Sequence, residues 1–169
     1  MNAIFYLILL ILLATAVHTD LRDRTIPNWI PAAATVLFLP AAWVGAVPDW
    51  QAHLLVLAIA FAACLALFAM NLLGGGDAKL IPAIALWAGT EHLVGFLVAM
   101  TLAGGAVALV LLLRPSRWRH RESETSSGPE RRASIPYAVA IAAGGLVVVS
   151  EPILNAFPAS WLEILKSGA

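Results

Sequence analysis

Two acids stand where acids are costly. Asp77 lies in Gly74-Gly75-Gly76-Asp77-Ala78-Lys79, between two long apolar stretches, and Asp20 closes another apolar stretch in Asp20-Leu21-Arg22-Asp23-Arg24-Thr25-Ile26-Pro27-Asn28. An ionisable residue at the edge of a membrane span marks a functional site by default. Two carboxylates at the same depth, brought together, have the chemistry to share a proton and activate a water between them. Structural roles compete. Asp77 falls near a helix start, where capping and the helix dipole also favour an acid. Asp20 has Arg22 and Arg24 as nearby partners or a turn to cap, and Asp23 sits nearer those arginines and further from the span. His18, two residues before Asp20, reads as an interfacial histidine.

The residues around the acids are punctuation as well as candidate support. The glycine run frees the backbone, permits close approach of another segment and interrupts the helix. Pro27 suits the first turn of a following helix, and Asn28 suits a local backbone bond there. Lys79 is placed to stabilise Asp77 or to meet lipid head groups.

The chain must hold these residues in a membrane. It has 169 residues, 61% hydrophobic and 12% charged, with a mean hydropathy of +0.88, against roughly 25% charged residues in soluble domains. The reading is an all-α polytopic bundle forming one domain over 1–169. Its expected spans are roughly 2–18, 29–47, 52–73, 79–90, 92–113 and 134–150. The fourth is short, so the alternative is one tilted helix over 79–113 and five spans in all. Without lysine or arginine in Met1-Asn2-Ala3, the first apolar stretch reads as a retained span and not as a signal peptide.

Basic residues favour six spans. Of the ten, nine (Arg22, Arg24, Lys79, Arg114, Arg117, Arg119, Arg121, Arg131 and Arg132) then share one side, and Lys166 alone is opposite. Since lysine and arginine collect on the cytoplasmic side, both termini are expected outside, and Asp20 and Asp77 meet the cytoplasmic boundary. Residues 114–133 read as a flexible basic cytoplasmic loop, with 114–121 suited to anionic head groups around Trp118. Residues 152–166 read as an interfacial helix. The lone Cys64 excludes an internal disulfide and leaves no Cys-x-x-Cys pair for zinc; it reads as a small buried apolar residue. No metal or cofactor is called for.

Asp20…Ile26-Pro27-Asn28 after the first span, with Gly74-Gly75-Gly76-Asp77-Ala78-Lys79 after the third, resembles the prepilin peptidases, the GxGD-type aspartic peptidases of the bacterial inner membrane. Ile135-Pro136-Tyr137-Ala138-Val139-Ala140-Ile141-Ala142 is similar to the sixth-span signature of their short, tight-adherence (Flp) pilus members, with Ala138 where glycine is usual. The resemblance spans essentially the whole chain. It implies Asp20 and Asp77 as catalytic acids, supported by Gly74, Gly76, Lys79, Pro27 and Asn28, without cofactor. It further implies removal of a short basic prepilin leader after a glycine, at the cytoplasmic face. The larger relatives carry a cysteine-rich insert and methylate the new N-terminus; this chain lacks the insert, so the resemblance implies a peptidase only. Partners would be the prepilin and membrane lipids, not nucleic acid. The competing classes are a proton-relay transporter using the same acids, a non-catalytic membrane scaffold, and a presenilin-like peptidase, whose Pro-Ala-Leu motif has no counterpart in a later span.

Overall fold

The computed structural model describes residues 3–113 and 137–155, which form five helices: α1 (Ala3–Asp23), α2 (Trp29–Trp43), α3 (Trp50–Ala69), α4 (Asp77–Leu113) and α5 (Ala138–Leu154). α1, α3 and α4 are long and apolar enough to cross a membrane, whereas α2 and α5 are shorter apolar helices. The basic loop 114–133 lies outside the described residues, as do residues 156–166 of the expected interfacial helix. Residues 152–154 of that segment simply continue α5.

The first three helices each stop at a residue in the left-handed region: Arg24 (φ 54°), Gly45 (φ 71°) and Asn71 (φ 59°). After α2, Gly45 N–H donates to Ala42 O and Ala46 N–H to Ala41 O; after α3, Asn71 N–H donates to Phe68 O and Leu72 N–H to Leu67 O. These are paired Schellman bonds, which satisfy the last carbonyls and reverse the chain. They end α2 and α3 earlier than the expected 47 and 73, because apolar composition continues past the point where backbone geometry stops the helix.

The expected spans 79–90 and 92–113 appear as one helical stretch, interrupted only at Gly89 (φ 57°, ψ −161°). The interruption is a reversal. Ile84, before the break, and Phe96, after it, contact the neighbouring residues Gly145 and Gly144 of α5. Further on, Gly104 lies against Tyr137 at the start of α5. Thus α4 runs away from Asp77, turns at Gly89 and comes back. Glycine is required at this turn: a Cβ on Gly89 would collide with the His53 ring, and positive φ is costly for other residues.

Packing follows from this hairpin. α1, α2, α4 and α5 close a ring, and α3 lies against α4. The outgoing arm of α4 is buried from Leu80 to Gly89, as expected for a helix apolar all round. The returning arm meets α5 through small residues: Gly95 against Val147, Gly104 against Tyr137 and Gly144 against Phe96, the close approach that membrane helices use in place of a hydrophobic drive. Cys64 is buried, as the sequence suggested.

An aromatic clamp secures the far end of the outgoing arm. Trp87 packs edge-on against Tyr6 of α1 (5.5 Å) and Phe38 of α2 (5.6 Å), and its Nε1–H donates to Ala34 O at 2.9 Å. His53 of α3 stacks against Phe38, and its Nδ1–H donates to Leu86 O at 2.7 Å. That carbonyl sits three residues before the break, so the imidazole ties α3 to the turn.

Candidate active site

α1 ends, and α2, α4 and α5 begin, at the same end of the bundle. Asp20 sits one turn before the end of α1 and is the charged residue buried among the described residues, at 5% exposure. A buried carboxylate requires donors. Its Oδ2 accepts a hydrogen bond from the Ala138 N–H at 3.0 Å, across 118 residues of sequence. Asp77 opens α4, half-buried, and the loop before it lies on Ile26, just past the end of α1. Both acids therefore stand at this end of the bundle, although 56 positions and two helices lie between them along the chain. Asp23 and His18 are exposed.

The glycine run is shaped by its neighbours. A Cβ on Gly74 would meet Asp77 Oδ2 at 3.0 Å, and one on Gly76 would meet Ile26 at 3.1 Å. The first glycine thus leaves room for the carboxylate, and the third lets the loop lie on the Ile26-Pro27-Asn28 turn. Gly74 O accepts from Ala78 N–H, and Gly76 O accepts from Leu80 N–H, so the loop also starts α4.

The two motifs are stitched together by Lys79, whose Nζ donates to Asn28 Oδ1 at 2.9 Å. This corrects two expectations. Asn28 makes no side-chain cap to α2; its carbonyl oxygen is used by Lys79 instead. Pro27 precedes α2, with its carbonyl accepting from Ile30 N–H, and Pro31 takes the first-turn place expected for Pro27.

α5 adds a contact that the sequence did not reveal. Ala138, noted in the sequence only as standing where glycine is usual, touches Asp20 through its backbone N–H. Sequence reasoning missed this contact because it compared side chains, and the donor is a main-chain N–H that every residue except proline carries. The local signal was the start of α5 after Tyr137, since the first amides of a helix have no partner within it.

A cavity of about 400 Å³ opens at the opposite end, lined by Tyr6, Asp49, His53, Trp87, Glu91 and His92 among others. It lies beside the aromatic clamp and away from the two acids. Nearby, His92 Nε2 and Glu151 Oε2 are 3.6 Å apart. Among the described residues no cluster of three or more potential metal ligands occurs.

A family model for the type IV leader peptidase family matches residues 7–109, which contain Asp20, the Ile-Pro-Asn turn, the glycine run and Asp77. The chain belongs to that family. Membership makes it a leader peptidase in general terms, and its long apolar helices make it membrane-embedded. No curated protein and no solved structure matches the chain.

Proposed function

We propose that this leader peptidase is an aspartic endopeptidase in which Asp20 and Asp77 act on one water. Two neighbouring carboxylates do not both ionise cheaply, so the pair holds one proton. One acid takes a proton from the water as its oxygen attacks the scissile carbonyl carbon, while the other donates to the carbonyl oxygen. Collapse of the tetrahedral diol breaks the C–N bond, and the leaving amine takes up the proton first removed from water. The observation that carries this reading is the placement of both acids at one end of the bundle, where Gly76 lies on Ile26 and Lys79 bonds Asn28, in a chain of this family.

The substrate is an Flp-type prepilin with a short basic cytoplasmic leader, a glycine before the cut and an apolar helix beyond it. Orientation supports that assignment. Arg22, Arg24 and Lys79 lie at the acid end, and the connection carrying six arginines leaves from the returning arm of α4 and rejoins at α5 beside Asp20. The far-end connection 44–49 carries no lysine or arginine. With positive charge inside, the acids face the bacterial cytoplasm, six segments cross the inner membrane and both termini lie outside. The reversal at Gly89 favours six crossings over one tilted helix. Support for the acids comes from Gly74, Gly76, Lys79, Pro27 and Asn28. No methyl transfer accompanies cleavage, since the cysteine-rich insert is lacking.

Coexpression with an Flp-type prepilin, followed by a gel shift for leader removal, tests the reading. Asp20→Asn and Asp77→Asn each abolish cleavage while inserting normally, and Asp23→Asn still cleaves. Cleavage that survives either of the first two changes removes that acid from the mechanism.

A further inference from the structure

We propose that the Ala138 N–H is a positioning group that divides the labour of the two acids: it holds Oδ2 of Asp20, leaves Oδ1 to receive the proton from water, and so makes Asp20 the base and Asp77 the acid. The proposal rests on the two-acid reading above and specifies its roles.

The two carboxylates have different surroundings. Asp20 and Ala138 are both buried, and the 3.0 Å bond between them is the capping interaction of α5, because the N-cap residue Tyr137 contributes no side-chain cap. An N–H at the start of a helix points its partial positive charge at the acceptor, and a bond of this kind is strongest to a negative oxygen. A proton on Oδ2 would also set a donor against a donor. Any proton that Asp20 gains therefore goes to Oδ1. Asp77 also stands at a helix start, that of α4, but it differs in its bonds: its Oδ2 lies over Gly74, and among the described residues no donor reaches its carboxylate. Of the pair, Asp20 is held ready as an acceptor and Asp77 is the one left to carry the shared proton.

The assigned steps balance. Water gives a proton to Asp20 Oδ1 and its oxygen bonds to the carbonyl carbon, while Asp77 gives its proton to the carbonyl oxygen. On collapse the C–N bond breaks and the amine takes the proton from Asp20. One hydroxyl of the diol returns a proton to Asp77 as the new carboxyl group forms, which restores the starting pair. Ala138 itself touches no reacting atom; it acts through Asp20.

The cleanest test replaces the amide N–H at 138 with an ester oxygen, by incorporating lactic acid in place of Ala138 in the full chain. Ala138→Pro removes the same donor at the first helical position, where proline is accepted, and Ala138→Gly keeps it. With kcat and KM for the prepilin measured on folded enzyme in nanodiscs, the ester and proline variants lose about ten- to a hundredfold in kcat at unchanged KM, and glycine recovers the rate. If the bond served only to cap α5, the folded fraction would fall and kcat per folded enzyme would stay; that result, or an ester variant at full kcat, overturns the proposal. Carbon-13 at the aspartate γ position reads the roles directly. At neutral pH the line lost in Asp77→Asn lies in the protonated range and the line lost in Asp20→Asn in the ionised range; the reverse order, or two ionised lines, overturns the assignment. Should the ester variant keep full kcat while both asparagine variants are dead, the two-acid reading stands and this proposal falls. Should either asparagine variant cleave, the two-acid reading itself falls.

Discussion

The two ends of this bundle solve the same problem in opposite ways. Each has glycine at a helix break or helix start, and polar groups turned towards the interior. At the far end the break at Gly89 is clamped: His53 donates to Leu86 O, Trp87 donates to Ala34 O, and Tyr6 and Phe38 close on the indole. At the other end the glycine run lies open, two of its residues exposed, and the buried group is an acid held by one main-chain donor. The far end fixes the outgoing arm of α4, and the near end carries Asp77 at the start of that arm. On the two-acid proposal, the contrast separates anchoring from chemistry. Damage at one end should appear as lost stability, and damage at the other as lost turnover.

The sharpest break of that division is removal of an acid. Asp20→Asn or Asp77→Asn lowers cleavage by about 10²- to 10⁴-fold or more, the usual worth of a positioned acid or base, while circular dichroism and thermal unfolding show a folded chain; unfolding of either variant would erase the distinction between the ends. Gly89→Ala comes next and acts on the fold. Its Cβ meets the His53 ring and its φ is positive, so the change costs about 2 kcal/mol or more. It lowers the melting temperature in detergent, and His53→Ala in the same chain recovers part of the loss by removing the clash. At the acid end, Gly74→Ala presses on Asp77 Oδ2 and displaces it by a fraction of an ångström. Turnover falls about tenfold at nearly unchanged melting temperature, since misplacement alone is costly in catalysis. Smallest is Lys79→Met. The bond to Asn28 is exposed, so its loss costs a few tenths to about 1 kcal/mol and lowers turnover about twofold. A loss as large as that of the acids would make Lys79 part of the chemistry.

Much of this was legible along the chain. Apolar runs mark the helices because a membrane span must satisfy its own backbone bonds, whatever it packs against. Asp20 and Asp77 stand out because a carboxylate in such a run needs a reason. Helix ends were less legible: the Schellman turns at Gly45 and Asn71 depend on backbone angles that an apolar window does not sense. Local reading also misassigned Asn28 and Pro27, because it looked for partners within a few residues, and Asn28 finds its partner at Lys79, 51 residues away.

What the sequence determined by itself is the inventory: a helical membrane protein with two suspect acids, each beside a glycine- or proline-marked helix break. Composition and local spacing suffice for that, since burial in lipid acts on each segment separately. Only the tertiary structure decided that α4 doubles back at Gly89, that His53 bonds a carbonyl near that turn, and that the start of α5 closes on Asp20. Each of these depends on main-chain groups meeting across the bundle, and a main-chain N–H or carbonyl is the same at nearly every position, so no residue type announces it in advance.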